Sequence, residues 1–352
     1  MRRKSITSVV MVLGMACLLS RAFASAPEIY GISSRSAATA GLGTVSVPDP
    51  SFTYHNPAFL SQARQVGLEL GWFTAADSFE PIEGVVTQNP LSGRSVARGN
   101  VITDYPNLSG LSFGMVLPIR KTLPKSSLGT AGFVPIGSLA SIHAMETYVP
   151  VYANYYTRPK RFSGVVGVAI EPIENLSIGA AANIYLTSGA NTAINLNETN
   201  SVVSVAMDIV PAVAPIVGAR YQWRRWGIDA AYLAPVDYAM TFQNKTELPL
   251  LSARGVDASI PIVEFLSRTS MFYDPQMVRV GVSHLLGGWL QVGLQGIWKN
   301  WTNYEVPWNH VEFTNPGGID SHLPVVTFRD TISLGAGVEF PVGPCSIRGG
   351  YR

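Results

Sequence analysis

The chain has 352 residues, of which 14% are charged, 47% are hydrophobic and 33 are glycines. The charged fraction is well below the roughly 25% of ordinary soluble domains, which favours a chain that places a broad apolar surface in a core or in lipid. A formal net charge of +2 and only two cysteines argue against electrostatic binding of nucleic acid and against a small fold held by disulfides.

The first 24 residues have the pattern of a secretory signal peptide. Residues 2–4 are basic, an apolar run extends to residue 19, and the Ala-Phe-Ala of residues 22–24 is a small-x-small cleavage site. We therefore expect a mature chain that begins at Ser25. It loses four basic residues, no acid and one cysteine, so its formal net charge is −2. A membrane-anchor helix fits less well, because the apolar run is short for a bilayer.

Residues 34–61 are dominated by small side chains and contain the tripeptide Asn56-Pro57-Ala58. Small side chains allow a segment to pack tightly inside a narrow space, and asparagine before proline favours a turn. The segment is therefore predicted to fill a confined interior. A flexible lead-in to the first strand is the alternative interpretation.

Beyond residue 64 the dominant pattern is an alternation of apolar with small or polar residues. Ile332 and Leu334 share one face of their segment, for example, and Gly335 and Gly337 share the other. Because successive side chains of a strand point to opposite faces, this period of two predicts strands with one apolar face. The predicted strands are 65–72, 111–117, 161–170, 177–186, 201–210, 214–223, 225–233, 276–284, 290–298, 331–340 and 344–351.

The connections between these strands alternate in length. Arg224-Arg225 and Gly287-Gly288 have hairpin spacing. Long polar or Pro/Gly-rich stretches are predicted as loops at residues 76–109, 187–200, 236–275 and 302–327. Short turns that alternate with long loops are typical of a transmembrane barrel.

The less apolar face separates a membrane barrel from a soluble β-sandwich or lipocalin-like barrel. That face carries mainly Gly, Ser, Ala and Gln, whereas the outward face of a soluble sheet carries Lys, Glu and Thr. We therefore expect the apolar face to contact lipid and the small residues to line a lumen. Trp298 and Trp301 are expected at a membrane interface.

No motif for covalent or metal chemistry stands out. The histidines are scattered, at His55, His143, His284, His310 and His322. Neither metal-ligand spacing nor a G-x-S-x-G nucleophile elbow is present in the sequence. We expect no enzyme activity, no metal and no cofactor. An outer-membrane esterase or protease is the enzymatic alternative, and it needs a nucleophile and a base within reach of each other.

Two parts of the chain carry a resemblance to a known family. The first is residues 37–60, in which Gly41, Gly43 and Asp49 precede the Asn-Pro-Ala tripeptide. The second comprises the Trp-Lys-Asn-Trp of residues 298–301 and the Ile-Arg-Gly-Gly-Tyr of residues 347–351, in the family's order. With these features the chain resembles the FadL-type outer-membrane transporters of long-chain fatty acids and toluene-like aromatic hydrocarbons.

The resemblance implies an all-β fold, a transmembrane antiparallel β-barrel with a small N-terminal hatch segment. Family barrels have fourteen strands, and here the last strands are expected to be missing, since the chain stops at the Arg-Gly-Gly-Tyr segment without a terminal aromatic residue. The expected division is a signal peptide at 1–24, the hatch at 25–62 and a barrel, incomplete at its C-terminus, at 63–352.

Particular residues acquire expected roles from this reading. The hatch motif comprises Asn56, Pro57, Ala58, Gly41 and Gly43, the two glycines allowing close packing. Strand register places Arg279 and Glu339 on the lumen side, where they either line the ligand path or pair with other lumen charges.

The function implied by the resemblance is passive uptake of hydrophobic compounds across the outer membrane of a Gram-negative bacterium. An apolar lumen captures the compound, and a hatch-gated opening in the wall releases it laterally. Differential affinity between conformations is sufficient for this. The expected partners are fatty acids or aromatics, together with the lipids and lipopolysaccharide around a monomeric barrel. The alternative is a general diffusion porin or another non-transport barrel, with a charged constriction and no plug.

Overall fold

The computed structural model describes residues 32–43, 49–75, 83–88, 95–99, 108–120, 122–137, 162–196, 201–249, 259–304, 310–313, 327–342 and 345–352. The predicted signal peptide lies outside these residues. The helices described are α1 (Ser34–Ala38), α2 (Phe52–His55) and a 3-10 helix (Pro57–Gln62). None of the described helices is long and apolar enough to cross a membrane.

Sixteen strands occur within the described ranges. They are β1 (Gly67–Ala75), β2 (Val85–Gln88), β3 (Ser95–Gly99), β4 (Leu108–Arg120), β5 (Lys125–Pro135), β6 (Ser163–Ile173), β7 (Leu176–Leu196), β8 (Ser201–Trp223), β9 (Trp226–Leu233), β10 (Val236–Pro249), β11 (Ser259–Asp274), β12 (Gln276–Leu286), β13 (Leu290–Asn300), β14 (His310–Phe313), β15 (Thr331–Val342) and β16 (Cys345–Tyr351).

Eleven strands form one antiparallel sheet, which we call the wall, in the order β1-β4-β5-β6-β7-β8-β9-β12-β13-β15-β16. β10, β11 and β14 form a second sheet, and β2 pairs with β3. β1 and β16 occupy the two edges of the wall and do not pair with each other in the part of the chain that the structure describes, so the sheet is not closed. The predicted all-β, antiparallel barrel fold with few helices is confirmed.

Tight turns join wall strands at one end, as predicted. Arg224 and Arg225 connect β8 to β9, and Arg224 has a left-handed φ of +54°. Gly287 and Gly288 connect β12 to β13 with φ values of +58° and +78°. Glycine adopts these angles without a steric penalty, because it has no Cβ.

The prediction of loops at 187–200 and 236–275 is wrong. β7 pairs with β8 without a break from Leu176–Tyr221 to Leu196–Ser201, and β10 and β11 occupy most of the second stretch. The two strands predicted at 201–210 and 214–223 are one, β8. Backbone pairing continues through polar residues that the apolar alternation does not detect, and short strands likewise occur in the other two predicted loops.

β5 was not predicted from the sequence. It is rich in serine and glycine and has few large apolar side chains, so its alternation is weak. Nevertheless it pairs with β4 on one side and with β6 on the other. Its small inward residues leave room for residues 49–62, which pack inside the wall.

The side chains of the wall follow the predicted faces. Large apolar side chains point away from the interior, with Leu70 79%, Trp72 66% and Leu334 76% exposed. Inward positions carry small or polar residues that are buried, such as Ser112 and Ser177. An apolar outer surface around a small-residue inner face is the pattern of a wall that contacts lipid.

Residues 49–62, which we call the inner segment, pack against the inward face of the wall. Every residue from Asp49 to Ser61 is buried. The Asn56 side chain caps the 3-10 helix, and Pro57 holds the first helical position, where proline costs no hydrogen bond. Within the inner segment the rings of Phe52 and Phe59 stack, with their centroids 4.4 Å apart.

Glycines on the inward face of the wall provide the room that the inner segment occupies. A methyl group added at Gly179 of β7 meets the backbone nitrogen of Ala58 at 2.5 Å, and one added at Gly129 of β5 meets Thr53 Oγ1 at 2.5 Å. These distances are far below van der Waals contact, so a side chain at either position displaces the segment. A methyl group added at Gly114 or Gly218 overlaps the inner segment in the same way, whereas one added at Gly167 meets Ala181 of the wall first (2.7 Å) and lies 3.0 Å from Thr53 Cγ2.

Replacing Gly179 by alanine is expected to destabilise the folded protein by about 1–3 kcal/mol, because the added methyl overlaps the Pro57–Ala58 peptide. The measurement is the temperature at which the folded band disappears on SDS gels. Gly67→Ala in β1 is the matched control, since nothing lies within 4 Å of a methyl group added there. Equal temperatures for the two variants would contradict the close packing of segment and wall.

Candidate functional site

Asn56 fixes the inner segment to two strands of the wall. Its Oδ1 accepts a hydrogen bond from the backbone N–H of Ala58 (3.1 Å). Its Nδ2 donates to the carbonyl of Ala230 (3.2 Å), with longer contacts to the carbonyl of Ala219 (3.4 Å) and to Asp229 Oδ1 (3.5 Å). Ala219 and Ala230 are register partners across β8 and β9. A buried amide with donor and acceptor both engaged orients the segment as well as holding it.

His55 connects the inner segment to α1 and to β12. Arg279 Nη1 lies 2.9 Å from His55 Nδ1 and 3.3 Å from the His55 carbonyl oxygen, and Ser36 Oγ lies 2.6 Å from Nε2. A guanidinium can only donate, so Nδ1 accepts, and the neutral ring donates from Nε2 to Ser36. Arg279 also lies 5.2 Å from the centroid of the Tyr54 ring. Arg279 is therefore buried on the inward face of β12, where it contacts the inner segment and, through Nε, the sulfur of Met277 (3.2 Å). Its predicted role in lining a ligand path stays a prediction.

A buried pair of opposite charges lies beside Asn56. Arg220 of β8 and Asp229 of β9 are register partners and are both buried. Arg220 Nη2 donates to Gln222 Oε1 (2.7 Å), and its Cζ lies 4.3 Å from the centroid of the Phe59 ring. The inner segment thus contacts the cation through Phe59 and the anion through Asn56. Removing one charge leaves the other buried without compensation.

A second set of charges lies between the inner segment and β15–β16. Asp49 Oδ1 accepts from the N–H (2.7 Å) and the hydroxyl (2.5 Å) of Ser51, and Asp49 Oδ2 lies 3.6 Å from Arg35 Nε. Burial raises the pKa of Asp49 above its ordinary value despite these contacts. Glu339 is buried and pairs with Arg348 (3.0 Å), and its predicted role in lining a ligand path stays a prediction. Among the described residues, no group of three or more His, Cys, Asp and Glu is placed to hold a metal ion.

An apolar layer surrounds Tyr54. Relative to Asn56, this layer lies toward the end of the wall that carries the long connections between strands. It combines inward side chains of seven strands, namely Ala131, Val165, Ala181, Ile216, Leu233, Met277 and Ile297. A cavity of about 20 Å³ borders this layer between Tyr54 and Tyr185. That volume holds about one water molecule. The interior therefore has a polar level at Asn56 and an apolar level at Tyr54.

The two predicted hatch glycines are explained differently, Gly41 by its backbone angle and Gly43 by a close approach to His55. Gly41 has a left-handed φ of +75°, and a methyl group added there lies 3.8 Å from Arg352 Nη1. A methyl group added at Gly43 lies 2.9 Å from the Cβ of His55. Trp301 packs against Tyr273 (5.9 Å between ring centroids), and its predicted place at a membrane interface stays a prediction.

Sequence reasoning did not single out Tyr54, Arg220 or Asp229. The signal for the two charges was available, because Asp229 alternates with Gly227 and Ala231 on the small-residue side of its strand. A charge on that side points inward and needs a buried partner. The contact with Asn56 joins residues 173 positions apart, and no local pattern reveals it.

Asn56→Ala is expected to lower stability by about 1–3 kcal/mol, because it removes the cap and leaves strand carbonyls without their donor. The measurement is the unfolding midpoint in urea, together with the rate of tryptic cleavage after the exposed Arg64. Gln62→Ala, in the last position of the same 3-10 helix, is the control. If the two variants unfold and cleave alike, Asn56 does not hold the segment.

Asp49→Asn is expected to change the pH dependence of stability. The pKa of Asp49 is raised in the folded protein, so the folded state binds this proton more tightly than the unfolded state. The contribution of Asp49 to stability therefore rises as the pH falls from the raised pKa to the ordinary aspartate value. Across about pH 4 to 7, the unfolding free energy of wild type minus that of the variant should increase toward acid. A difference that is independent of pH would contradict the assignment.

Two solved structures are similar to the chain along most of its length. A FadL homologue from Pseudomonas aeruginosa is 13% identical, with 90% of this chain and 78% of that chain covered and a TM-score of 0.50. The toluene transporter TbuX from Ralstonia pickettii is 18% identical, with 89% and 83% covered and a TM-score of 0.50. No protein-family model and no curated protein matches the chain. The chain has the fold of the FadL-type transporters, as its sequence resemblance predicted.

Proposed function

We propose that this protein is an outer-membrane channel for passive uptake of hydrophobic compounds, such as long-chain fatty acids or aromatic hydrocarbons. In this proposal residues 1–24 are a signal peptide, residues 25–62 are a hatch and residues 63–352 form the barrel. The observation that carries the proposal is an inner segment buried inside a wall whose outer face is apolar. A structure of the same fold is a toluene transporter, which supports a hydrophobic solute.

The outer surface of the wall supports a place in a membrane. Leu68 is 77%, Leu294 66% and Ile332 74% exposed, and these side chains belong to different strands. Apolar surface in water is unfavourable by about 25 cal/mol per Å². Lipid removes that cost, and barrels of the bacterial outer membrane carry such an apolar band.

The packing of the interior favours gated passage of a solute over free diffusion through an open pore. A general diffusion porin needs an aqueous path with a charged constriction. Here Phe52, Phe59 and Leu60 of the inner segment pack with Val116 and Ala169 of the wall in one buried cluster. At this level a solute passes only after the inner segment has moved, so a porin is the weaker candidate.

The contacts of the inner segment are suited to reversible movement. Three of its hydrogen bonds to the wall join neutral groups, namely those of Asn56 to the carbonyls of Ala219 and Ala230 and that between Ser61 and Ser177. Each such bond has a net value of about 0.5–1.5 kcal/mol. A solute that binds in the apolar layer beside Tyr54 shifts the equilibrium if it binds more tightly when the segment is displaced. The solute then leaves through an opening in the wall toward the bilayer, and no covalent step is needed.

A disulfide between the inner segment and β7 is expected to stop uptake. Ser61 Oγ lies 2.8 Å from Ser177 Oγ, so Ser61→Cys combined with Ser177→Cys places two thiols within reach of a disulfide. A Cys345→Ser background removes the exposed free thiol. Oxidised cells should take up a radiolabelled hydrophobic solute no faster than cells without the protein, and reduction should restore uptake.

The two single-cysteine variants are the controls, since they carry the same side-chain changes without the cross-link. Full uptake by the completely oxidised double variant would contradict a hatch that moves at this contact. Rapid passage of small sugars through the wild-type protein in liposomes would instead favour the porin.

A further inference from the structure

We propose that the outer face of the wall binds one anionic phospholipid of the surrounding membrane in a defined groove. The acyl chain lies along the groove, and the phosphate lies beside the tight turns at one end of it. The inference rests on the membrane location in the proposed function, and it assigns a binding site on the face of the wall opposite to the inner segment.

The groove has a volume of about 630 Å³ and crosses β12, β13, β15 and β16. Binding sites for small molecules have volumes of about 300–1,000 Å³. One row of its side chains consists of the successive register partners His284, Val292, Val338 and Gly349. The next row contains the partners Leu294 and Ala336. Register partners share a face of a sheet, and Leu294 and Ala336 are exposed, so the groove belongs to the outer face.

The outward side chains decrease in size along the first of these rows. Trp226 of β9 is the register partner of His284, and the two rings lie together with centroids 4.1 Å apart. Valines follow on β13 and β15, and the row ends at Gly349. A methyl group added at Gly349 meets nothing within 4 Å. The row therefore has an aromatic rim and an open floor, which suits a flexible acyl chain.

Two exposed cations stand at the end of the groove that lies beside the turns. Arg224 and Arg225 form the turn between β8 and β9. The carbonyl oxygen of Arg225 accepts a hydrogen bond from the N–H of Leu285 (2.9 Å), so the turn is fixed beside His284 and Leu286 of the lining. Within the described part of the chain, neither arginine forms an ion pair with an acid. A phosphate provides the anion that arginine binds well.

Tryptophans mark the same end of the wall as a membrane interface. Trp223, Trp226 and Trp289 are exposed beside the two tight turns, and tryptophan is enriched at the level of lipid headgroups. The groove extends from Leu286 next to the turn to Leu294, which lies deeper in the wall. A phospholipid with its phosphate at the turn thus directs its acyl chain along the groove. Short turns of outer-membrane barrels face the periplasm, so this lipid belongs to the leaflet on that side.

A second copy of this chain is a less suitable occupant. Two copies related by a twofold axis along the membrane normal place the same surfaces opposite each other at the same depth. The turns that carry Arg224 and Arg225 then approach each other, and like charges oppose association. An anionic phospholipid brings a negative charge to the same place.

The test uses the purified full chain in phosphatidylcholine nanodiscs that contain a phosphatidylglycerol with a diazirine in its acyl chain. After irradiation, labelled peptides are identified by mass spectrometry, with unlabelled phosphatidylglycerol or phosphatidylethanolamine of the same chains as competitors. Labelling of β12, β13, β15 and β16 should saturate. Phosphatidylglycerol should compete at a concentration about fivefold or more below that of phosphatidylethanolamine.

Uniform labelling around the wall that does not saturate, or equal competition by the two lipids, overturns the inference and leaves the proposed function standing. A dimer that protects the groove from the lipid overturns it in favour of a second copy. Failure of the chain to insert into nanodiscs counts against the membrane location, and therefore against the proposed function itself.

Matched variants separate the groove from the rest of the outer face. Ala336→Phe fills the groove and should lower the saturable labelling by about tenfold. Ala180→Phe makes the same change at an exposed position of β7 outside the groove and should not lower it. Gly349→Leu is a second filling variant that meets no protein atom at its first carbon. Equal labelling of the filling variants and Ala180→Phe contradicts the site.

The arginines are tested by the double variant Arg224→Gln, Arg225→Gln. It should retain labelling by the acyl chain and lose the preference for phosphatidylglycerol over phosphatidylethanolamine, because the groove is intact and the cations are gone. An unchanged preference in this variant contradicts a phosphate site at the turn.

Discussion

Close approach between the inner segment and the wall is the constraint on which the rest of the structure depends. The backbone at Pro57–Ala58 lies so near Gly179 that no side chain fits between them. The inward positions that this backbone touches must therefore be small, and large inward side chains occur only where the segment leaves room for them, as in the layer around Tyr54. Polar groups that remain inside are covered by the segment, and buried polar groups require partners. Asn56 and His55–Arg279 meet that requirement, whereas Arg220 Nε and Asp229 Oδ2 are buried without a hydrogen-bond partner among the described residues.

The interior consequently has two levels with different physical roles. At the polar level, hydrogen bonds give the inner segment one position and orientation, since Asn56 contacts both β8 and β9. At the apolar level, side chains of seven strands surround Tyr54, and burial there favours any hydrophobic solute without fixing its orientation. Tyr54 belongs to the apolar layer and contacts Arg279, so in the proposed mechanism it is the residue that connects solute binding at one level with the contacts of the other.

The faces and most strands of the wall were predictable because alternation is a local signal. β15 and β12 show it clearly, whereas β5 lacks it, since glycine and serine replace the large residues. Residues 236–275 were predicted as a loop because the apolar alternation of the wall strands does not continue through them. In the structure β10 and β11 nevertheless pair with each other there. The sequence alone was sufficient to find the Asn-Pro-Ala motif. It could not predict the contacts of the motif, because Asn56 and Ala230 are 174 positions apart.

Hydrogen exchange of residues 52–62 in lipid nanodiscs, followed by mass spectrometry with and without a neutral aromatic solute, tests the central claim most directly. A segment that is held to the wall and released by solute should exchange slowly alone, like the wall strands, and faster at saturating solute. Fast exchange without solute would contradict a seated hatch. Slow exchange unchanged by a bound solute would contradict its release.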